Sequence, residues 1–465
     1  MNKTKIIAKV DNTNNKTEIL KEMILNGIDA FSINLYEFSH DFCLDAMDKI
    51  RRINDEVNTN VAIMLETVGS KVHTNKFYGG KAIFKTNDKI RIYMDNTLGD
   101  ETKFSIDYKD LINDVKYDSI IKLGNGQVVL QVLDKGENFL LCKVLQGGTV
   151  YNNTNVIVPG IKLKNRFLSK LDQDNIKFAS DNNVDYIILS YVSSLDDVLD
   201  VNDLLIDLEN NHLGIISKIE NQFALDEIDD IINISEGIVI SREDLGIELP
   251  VERIPGIQKL LINKCHIAGK VSVVVSDMVS TLENSLTKAE VSDIANAVLD
   301  GTDALMFNNK DYSMELLLAT EKVIKAAEED INYMSFLDVS IRSESRDITG
   351  NVACSVAEMA NRLKCKAIVV PTISGYTARK MSRFRPRCPI VAISTDQKTV
   401  RSLAVYFGVC PVLIENLKSL DDIMLQSKKI VYDKMNVISG DKIIITGGYP
   451  FKDVKHTNLI EIEEL

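Results

Sequence analysis

The chain has 465 residues, 45% of them hydrophobic and 26% charged, and a formal net charge of −13. This length predicts two or three domains of a soluble globular protein, and the acidic balance argues against nucleic acid as the main partner, because phosphate binding needs a basic face. No apolar run reaches the roughly 18 residues of a membrane span. The N-terminus lacks the apolar core of a signal peptide, and seven cysteines without Cys-x-x-Cys spacing indicate reduced thiols, so we expect a cytoplasmic protein.

Short apolar runs recur along the chain, with helical stretches between most of them. The runs do not alternate with polar residues, which is typical of strands buried on both faces of a parallel sheet. Eight such runs with intervening helices predict a (β/α)8 TIM barrel rather than an open doubly wound sheet. The runs are Lys5–Val10, Ala30–Leu35, Val61–Thr67, Tyr186–Tyr191, Gly214–Glu220, Gly237–Glu243, Lys270–Asp277 and Ala304–Asn309.

One connecting segment carries clear helix signals. Thr287 and Glu290 have the spacing of a capping box, and Gly301 is a stop signal. An apolar stripe through Val291, Ile294 and Val298 predicts the face that packs on the barrel.

Two regions interrupt the barrel pattern. Residues 70–161 are rich in alternating stretches, which predict a small β-barrel domain inserted as a lid. From about residue 336 to 465, strand, turn and helix signals predict an independent α/β domain. The predicted organisation is therefore an α/β barrel from residues 1–69 and 162–335, a lid at 70–161 and a C-terminal domain at 336–465.

Polar side chains cluster where the predicted barrel strands end. A barrel enzyme places its reacting groups at these carboxyl ends, and several carboxylates in one mouth require a cation, so we expect a divalent metal with oxygen ligands. Lys218 would supply positive charge for a bound phosphate or carboxylate. The alternative is that these residues form a solvated rim. The strand-end residues are Asn34, Glu66, Thr67, Lys218, Glu220, Arg242, Glu243, Asp244, Ser276 and Asp277.

Several blocks resemble the signature motifs of the pyruvate kinase family. They are ISKIENQ at Ile216–Gln222, EGIVISREDLGIELP at Glu236–Pro250, AEVSDIANAVLDGTDALM at Ala289–Met306, SGYTARKMSRFRP at Ser374–Pro386 and the terminal HTNLIEIEEL. The resemblance covers the whole chain. It implies phosphoryl transfer from phosphoenolpyruvate to ADP in glycolysis, a lid, a regulatory C-terminal domain and a homotetramer.

The resemblance also implies roles for particular residues. Lys218 matches the lysine that contacts the transferred phosphoryl group, and Ser276 stands where the family has the threonine linked to protonation of the enol. Glu220 and Asp244 match the carboxylates that hold Mg²⁺ (or Mn²⁺). The monovalent-cation site, for K⁺, matches Asn34 and Thr67, with Glu66 in place of an aspartate.

Other positions depart from the family pattern. The family's two substrate arginines are Ser32 and His73 here, and Glu243 follows Arg242 where the family has a glycine. In the lid, Gly124-Asn125 replaces paired aspartates; Asp277 replaces a glutamine and residues 308–311 a Ser-Gly-Glu block. The phosphate site thereby loses about three positive charges, which predicts weak, altered or lost transferase activity. The alternative is a fully active enzyme in which Lys71, Arg166 or Lys310 compensates.

If activity is lost, the resemblance implies a pseudoenzyme with a binding role. That role would be sensing a phosphorylated metabolite, or assembly with an active pyruvate kinase as a regulatory subunit. The turn at Thr372, Ser374, Gly375 and Thr377 offers hydroxyls and backbone amides at a helix start, and in the family it binds a phosphorylated effector. A plain capped turn would look the same in sequence.

Overall fold

Eight parallel strands close into a barrel in the computed structural model, which describes residues 2–162, 167–210, 212–276, 286–307, 314–343, 347–416, 419–448 and 456–465. Each barrel strand pairs with the next one along the chain, and the last closes onto the first. The predicted barrel is confirmed. Arg166, Asp277 and residues 308–311, which include Lys310, lie outside the described residues.

The first three barrel strands show how side chains are sorted. Ile6 and Ala8 pack outward against helix residues, whereas Ile7, Ala30 and Met64 share a cluster inside the barrel. Side chains alternate between the two faces of a strand, so the residue two positions after an inward-facing one also points inward. At the last residues of these strands, such a side chain lies at the carboxyl end of the barrel. The elements are β1 (Lys5–Lys9), α1 (Thr17–Leu25), β2 (Ala30–Asn34), α2 (His40–Val57) and β3 (Ala62–Glu66).

The inserted segment forms a small antiparallel-rich β-structure. Seven strands lie in the order β4-β12-β8-β9-β10-β6-β7, and β11 pairs with β5. The outer edges of the larger sheet meet, because Asn75 N donates to Ser105 O at 2.8 Å and Asp107 N to His73 O at 3.0 Å. The elements are β4 (Val72–His73), β5 (Lys81–Phe84), β6 (Lys89–Tyr93), β7 (Lys103–Ser105), α3 (Leu111–Asp114), β8 (Ile120–Leu123), β9 (Val128–Lys135), β10 (Phe139–Gln146), β11 (Gly148–Tyr151) and β12 (Asn155–Ile157).

The remaining barrel units follow the lid. Helix α10 begins with the predicted capping box, in which Glu290 N donates to Thr287 Oγ1 at 3.2 Å and Thr287 N to Glu290 Oε2 at 2.6 Å. The prediction that Val291 joins the buried stripe is wrong: it is 37% exposed, and Ala297 joins Ile294 and Val298 instead. The elements are α4 (Lys170–Asp181), β13 (Tyr186–Val192), α5 (Leu195–Asp207), β14 (Gly214–Ile219), α6 (Gln222–Asp226), α7 (Ile228–Ile234), β15 (Gly237–Ile240), α8 (Arg242–Glu248), α9 (Ile254–Ala268), β16 (Val271–Ser276), α10 (Lys288–Leu299), β17 (Ala304–Phe307) and α11 (Met314–Asp330).

The C-terminal part is a five-stranded sheet in the order β20-β19-β18-β21-β22, with only β22 antiparallel to its neighbour. The predicted α/β character is confirmed, while the boundaries at 69/70, 161/162 and 335/336 stay predictions. Among the described helices, none combines the length and apolarity needed to span a membrane. The elements are α12 (Tyr333–Ser343), α13 (Ile348–Leu363), β18 (Ala367–Pro371), α14 (Tyr376–Arg383), β19 (Ile390–Ser394), α15 (Gln397–Ser402), β20 (Val409–Leu413), α16 (Leu420–Lys434), β21 (Lys442–Gly447) and β22 (Leu459–Glu464).

Buried polar contacts join the barrel to the C-terminal sheet. Arg385 Nη1 donates to Asp303 Oδ1 at 2.7 Å, and both side chains are at most 3% exposed. Nearby, the ring of His266 contacts Ser340 Oγ at 2.9 Å and the Arg383 carbonyl at 2.8 Å. Burial, with a contribution from the Arg385 charge, lowers the pKa of His266 to about 3.

We expect His266 to make the fold sensitive to mild acid. The unfolded chain takes up this proton near pH 6.5 and the folded chain only near pH 3. The free energy of unfolding is therefore unaffected above pH 6.5 and falls by up to about 1.4 kcal/mol per pH unit below it. Thermal melts between pH 7.5 and 5.5 should show a smaller decrease for His266→Gln than for the wild type. His266 is not the titrating group if it behaves like the matched control His212→Gln, a change at an exposed histidine.

Candidate active site

The centre of the barrel mouth is an ion-pair cluster at the ends of β3 and β14. Lys218 Nζ donates to Glu66 Oε1 at 2.8 Å and lies 3.4 Å from Glu220 Oε1. Burial raises the pKa of Glu66, but the Lys218 and Lys9 charges outweigh it and bring that pKa to about 2. Burial opposes the charge of Lys218, yet the surrounding carboxylates raise its pKa well above the ordinary value. Both groups are therefore ionised at neutral pH.

Two carboxylates next to Lys218, Glu220 and Asp244, are the residues predicted to hold a metal. Lys71 Nζ donates to Glu220 Oε1 at 2.8 Å, and Ser241 Oγ donates to Asp244 Oδ2 at 2.6 Å. Burial raises the pKa of Asp244, but Lys71, Lys218 and a hydrogen bond with Glu220 lower it below the ordinary value. Glu220 and Asp244 line one small cavity together with Lys71, although they follow consecutive barrel strands.

Local backbone geometry holds Glu220 in place. Tyr191 has a left-handed conformation with φ of 60°, and its backbone N–H donates to Glu220 Oε2. Strain of this kind persists where the surrounding structure requires it and is concentrated at functional sites. Gly69 also approaches closely, since a Cβ there would lie 2.5 Å from the Ser190 carbonyl oxygen. Neither feature was predicted from the sequence.

The donor set fits a magnesium ion. Mg²⁺ is commonly held by one or two carboxylates together with waters and substrate oxygens, rather than by an all-protein cage. Glu220 and Asp244 supply two carboxylates that line one cavity, and among the described residues no group of three or more His, Cys, Asp or Glu side chains is placed to hold a metal. Two carboxylates are a donor set that Mg²⁺ can complete with waters and substrate oxygens.

The predicted monovalent-cation residues are engaged by protein groups. Asn34 Oδ1 accepts from Tyr36 N at 2.8 Å, and Thr67 Oγ1 accepts from Ser190 N at 3.1 Å. Glu66 faces Lys218 and Lys9. The structure thus brings these three residues to neighbouring strand ends, and the K⁺ site stays a prediction.

Arg242 and Ser276 share an acidic partner that the sequence did not reveal. Both terminal nitrogens of Arg242 donate to the carboxylate of Asp293, at 2.7 Å for the Nη2 contact. Ser276 Oγ donates to Asp293 Oδ2 at 3.3 Å. Arg242 and Asp293 lie on two different elements, and an ion pair of this kind has no signature in the sequence. It is therefore visible only in the folded structure.

His73 and Glu243 lie where the lid meets the barrel. His73 stacks on Tyr36, with ring centroids 5.6 Å apart, and its Nδ1 is 3.4 Å from Asp107 Oδ2. The side-chain amide of Asn125 donates to Glu243, and Lys122 Nζ donates to the Ile247 carbonyl. Glu243 thus serves as a lid contact, and Asn125 suits it better than an aspartate would.

We expect Asn125→Asp to loosen the lid, because it places a second carboxylate against Glu243. The pair is exposed, so solvent screens it and the effect should be about two- to fivefold. Hydrogen exchange of residues 120–126 and 243–248 should be faster by that factor. The double variant Asn125→Asp, Glu243→Gln should return exchange to the wild-type rate. Unchanged exchange in Asn125→Asp would show that this contact does not hold the lid.

The predicted effector turn is a well-formed helix start. Gly375 precedes α14 with φ of 77°, and its N–H donates to Thr372 Oγ1 at 3.0 Å. Thr377 Oγ1 is 2.8 Å from Thr457 Oγ1, while Ser374 is exposed. Thr372 and Thr377 therefore already have protein partners, which leaves the effector site a prediction.

Comparison with known proteins gives one family. The "Pyruvate kinase, barrel domain" family model matches residues 1–313, and the "Pyruvate kinase, alpha/beta domain" model matches residues 350–463. A closed barrel of eight parallel strands with polar side chains at the strand ends is the fold of the TIM-barrel class of proteins. The chain belongs to the pyruvate kinase family, a family of phosphotransferases.

Individual relatives match this chain over nearly its whole length. The chain is 33% identical to the pyruvate kinase of Sporosarcina psychrophila, over 99% of this chain and 80% of the relative. It is 31% identical to the pyruvate kinase of Clostridium perfringens (strain 13 / Type A), over 100% of both chains. The crystal structure of a pyruvate kinase from Cryptosporidium parvum is similar with a TM-score of 0.92 and 29% identity, over 100% of this chain and 96% of that one.

Proposed function

We propose that the chain transfers the phosphoryl group of phosphoenolpyruvate to ADP, giving pyruvate and ATP, more slowly than relatives with the full arginine set. The observation that carries this is the mouth cluster, in which Lys218 lies between Glu66 and Glu220 with Lys71 alongside. Lys71, which the sequence suggests as a compensating residue, stands in this site. The lost arginines support a lower rate, and the lysines support retained activity.

The residues of the chain take separate parts in this reaction. The bond between the enol oxygen and phosphorus breaks, and a bond forms from phosphorus to a terminal oxygen of ADP. Lys218, which stays protonated, donates to the phosphoryl oxygens as charge shifts onto them. Glu220 and Asp244 would hold Mg²⁺, which neutralises phosphate charge when bound. The enolate then takes a proton at its terminal carbon, and Ser276, tied to Asp293, lies at the end of β16 to assist.

A lactate dehydrogenase-coupled assay on the purified chain tests the proposal. With millimolar phosphoenolpyruvate, ADP and Mg²⁺, pyruvate should form above background, and omission of Mg²⁺ should stop it. The absence of pyruvate under these conditions would overturn the proposed activity. It would leave the two binding roles, which are sensing of a phosphorylated metabolite and assembly with an active pyruvate kinase as a regulatory subunit.

A phosphorylated effector at the turn from Thr372 to Thr377 is a second proposal. The exposed Ser374 and the amides at the start of α14 favour it, since a helix N-terminus attracts anions. Regulation of this kind fits the homotetramer, or at least the dimer, that we expect. Light scattering tests the assembly, and a mass near the 52.0 kDa of one chain would refute it. Inorganic phosphate, used as a probe for a phosphorylated effector, should raise the melting temperature of the wild type more than that of Ser374→Glu.

A further inference from the structure

Lys9 is a cation of the barrel mouth that the sequence motifs do not single out. It is the last residue of β1, two positions after the inward-facing Ile7. Its Nζ lies 3.8 Å from Glu66 Oε2, and its side chain is 22% exposed. It lines a small cavity together with Lys218 and Asp244. Lys9 therefore belongs to the same cluster as the proposed catalytic lysine.

The strand register places Lys9 beside one of the lost arginines. Lys9 is the Cα partner of Ser32 in the pairing of β1 with β2. Ser32 is 0% exposed, and its Oγ has no hydrogen-bond partner among the described residues. The residue at the family's arginine position is thus a short, enclosed side chain, and its neighbour on the next strand is a long cation.

We propose that Lys9 binds the phosphoryl group of the substrate, supplying from β1 the positive charge that relatives supply from β2. An ammonium group has three donors, so Lys9 can keep Glu66 and also contact a phosphoryl oxygen. Glu66 is shared with Lys218, whose contact at 2.8 Å is the shorter of the two. This inference rests on the proposed function for its substrate, although it concerns binding and not turnover.

Titration calorimetry with phosphoenolpyruvate and Mn²⁺ tests this role without any need for turnover. Lys9→Met should raise the Kd by roughly 10- to 100-fold, the loss expected for a charged hydrogen bond. Lys9→Arg should stay within about threefold of the wild type. The exchange variant Lys9→Ser, Ser32→Arg should bind more tightly than Lys9→Met. The matched control is Lys259→Met, which removes a surface lysine that is 75% exposed and paired with Asp300.

Melting curves without ligand identify a purely structural effect. If Lys9→Met melts well below the wild type, Lys9→Gln repeats the test with a side chain that still donates to Glu66. The proposal is overturned if Lys9→Met or Lys9→Gln binds phosphoenolpyruvate as the wild type does, or if Lys9→Arg binds as poorly as Lys9→Met. A wild type that binds but produces no pyruvate overturns the proposed function and leaves this role of Lys9 standing.

Discussion

Lys218→Met is expected to lower the turnover of phosphoryl transfer by a factor of about 10³, the range found for cations that contact a transferred phosphoryl group. The Lys218 ammonium is buried among Glu66, Glu220 and Asp244, which keep it protonated. Because it stabilises charge that develops during transfer, the loss should appear mainly in kcat. KM for phosphoenolpyruvate should change less than about tenfold, since Lys9 and Lys71 remain.

The control for this change has to separate chemistry from folding. Methionine leaves Glu66 and Glu220 with one cation fewer, so part of the effect could come from a disturbed site. Lys218→Arg keeps the charge and should retain more turnover than Lys218→Met, while both should melt within a few degrees of each other. A Lys218→Met enzyme with wild-type kcat would contradict the role given to this residue.

The barrel was predictable because its strands are buried on both faces. Such strands appear as unbroken apolar runs, and each of the eight runs overlaps a barrel strand whose two ends lie within three residues of the ends of the run. The carboxylates and the lysine of the site lie at the carboxyl ends of these runs or directly after them. Their position in the sequence is therefore enough to place Glu66, Lys218, Glu220 and Asp244 at one mouth.

The sequence did not predict Lys9 as a site residue. It stands at the end of an apolar run, where a lysine looks like a solvated strand terminus. The role proposed for Lys9 rests on its register with Ser32 and on its distance to Glu66, and these two residues lie on two other strands. A comparison of charges at single sequence positions detects that an arginine is replaced by Ser32. It does not detect the lysine on the neighbouring strand.

Glu243 is a residue for which the sequence predicted a role and the fold shows a different contact. The sequence placed this anion against the substrate, because it follows Arg242 in a family substrate turn. In the fold its carboxylate reaches the lid and accepts from Asn125. The residues at positions 243 and 125 both differ from the family pattern, and the contact between them is visible only in the fold. The predicted substrate repulsion by Glu243 is therefore untested, while its lid contact is visible.

Asp244→Ala is expected to weaken Mn²⁺ binding by at least about 10²-fold, because it removes one of the two carboxylates proposed to hold the divalent ion. The remaining one, Glu220, is held by Lys71 and by the Tyr191 backbone N–H. Removing Asp244 also leaves Lys71 and Lys218 with less opposing charge, which repels a cation. Titration calorimetry or Mn²⁺ relaxation would measure the change, in titrations that extend to millimolar metal.

Glu243→Ala is the matched control, since it removes a carboxylate one residue away that contacts the lid instead of Glu220. Its Mn²⁺ affinity should stay within about threefold of the wild type, because an exposed charge at that distance is screened. If both variants lose affinity equally, the metal responds to the total charge of the mouth. If neither does, Glu220 and Asp244 are not the ligands, and the magnesium-dependent mechanism built on them fails, whatever the coupled assay shows.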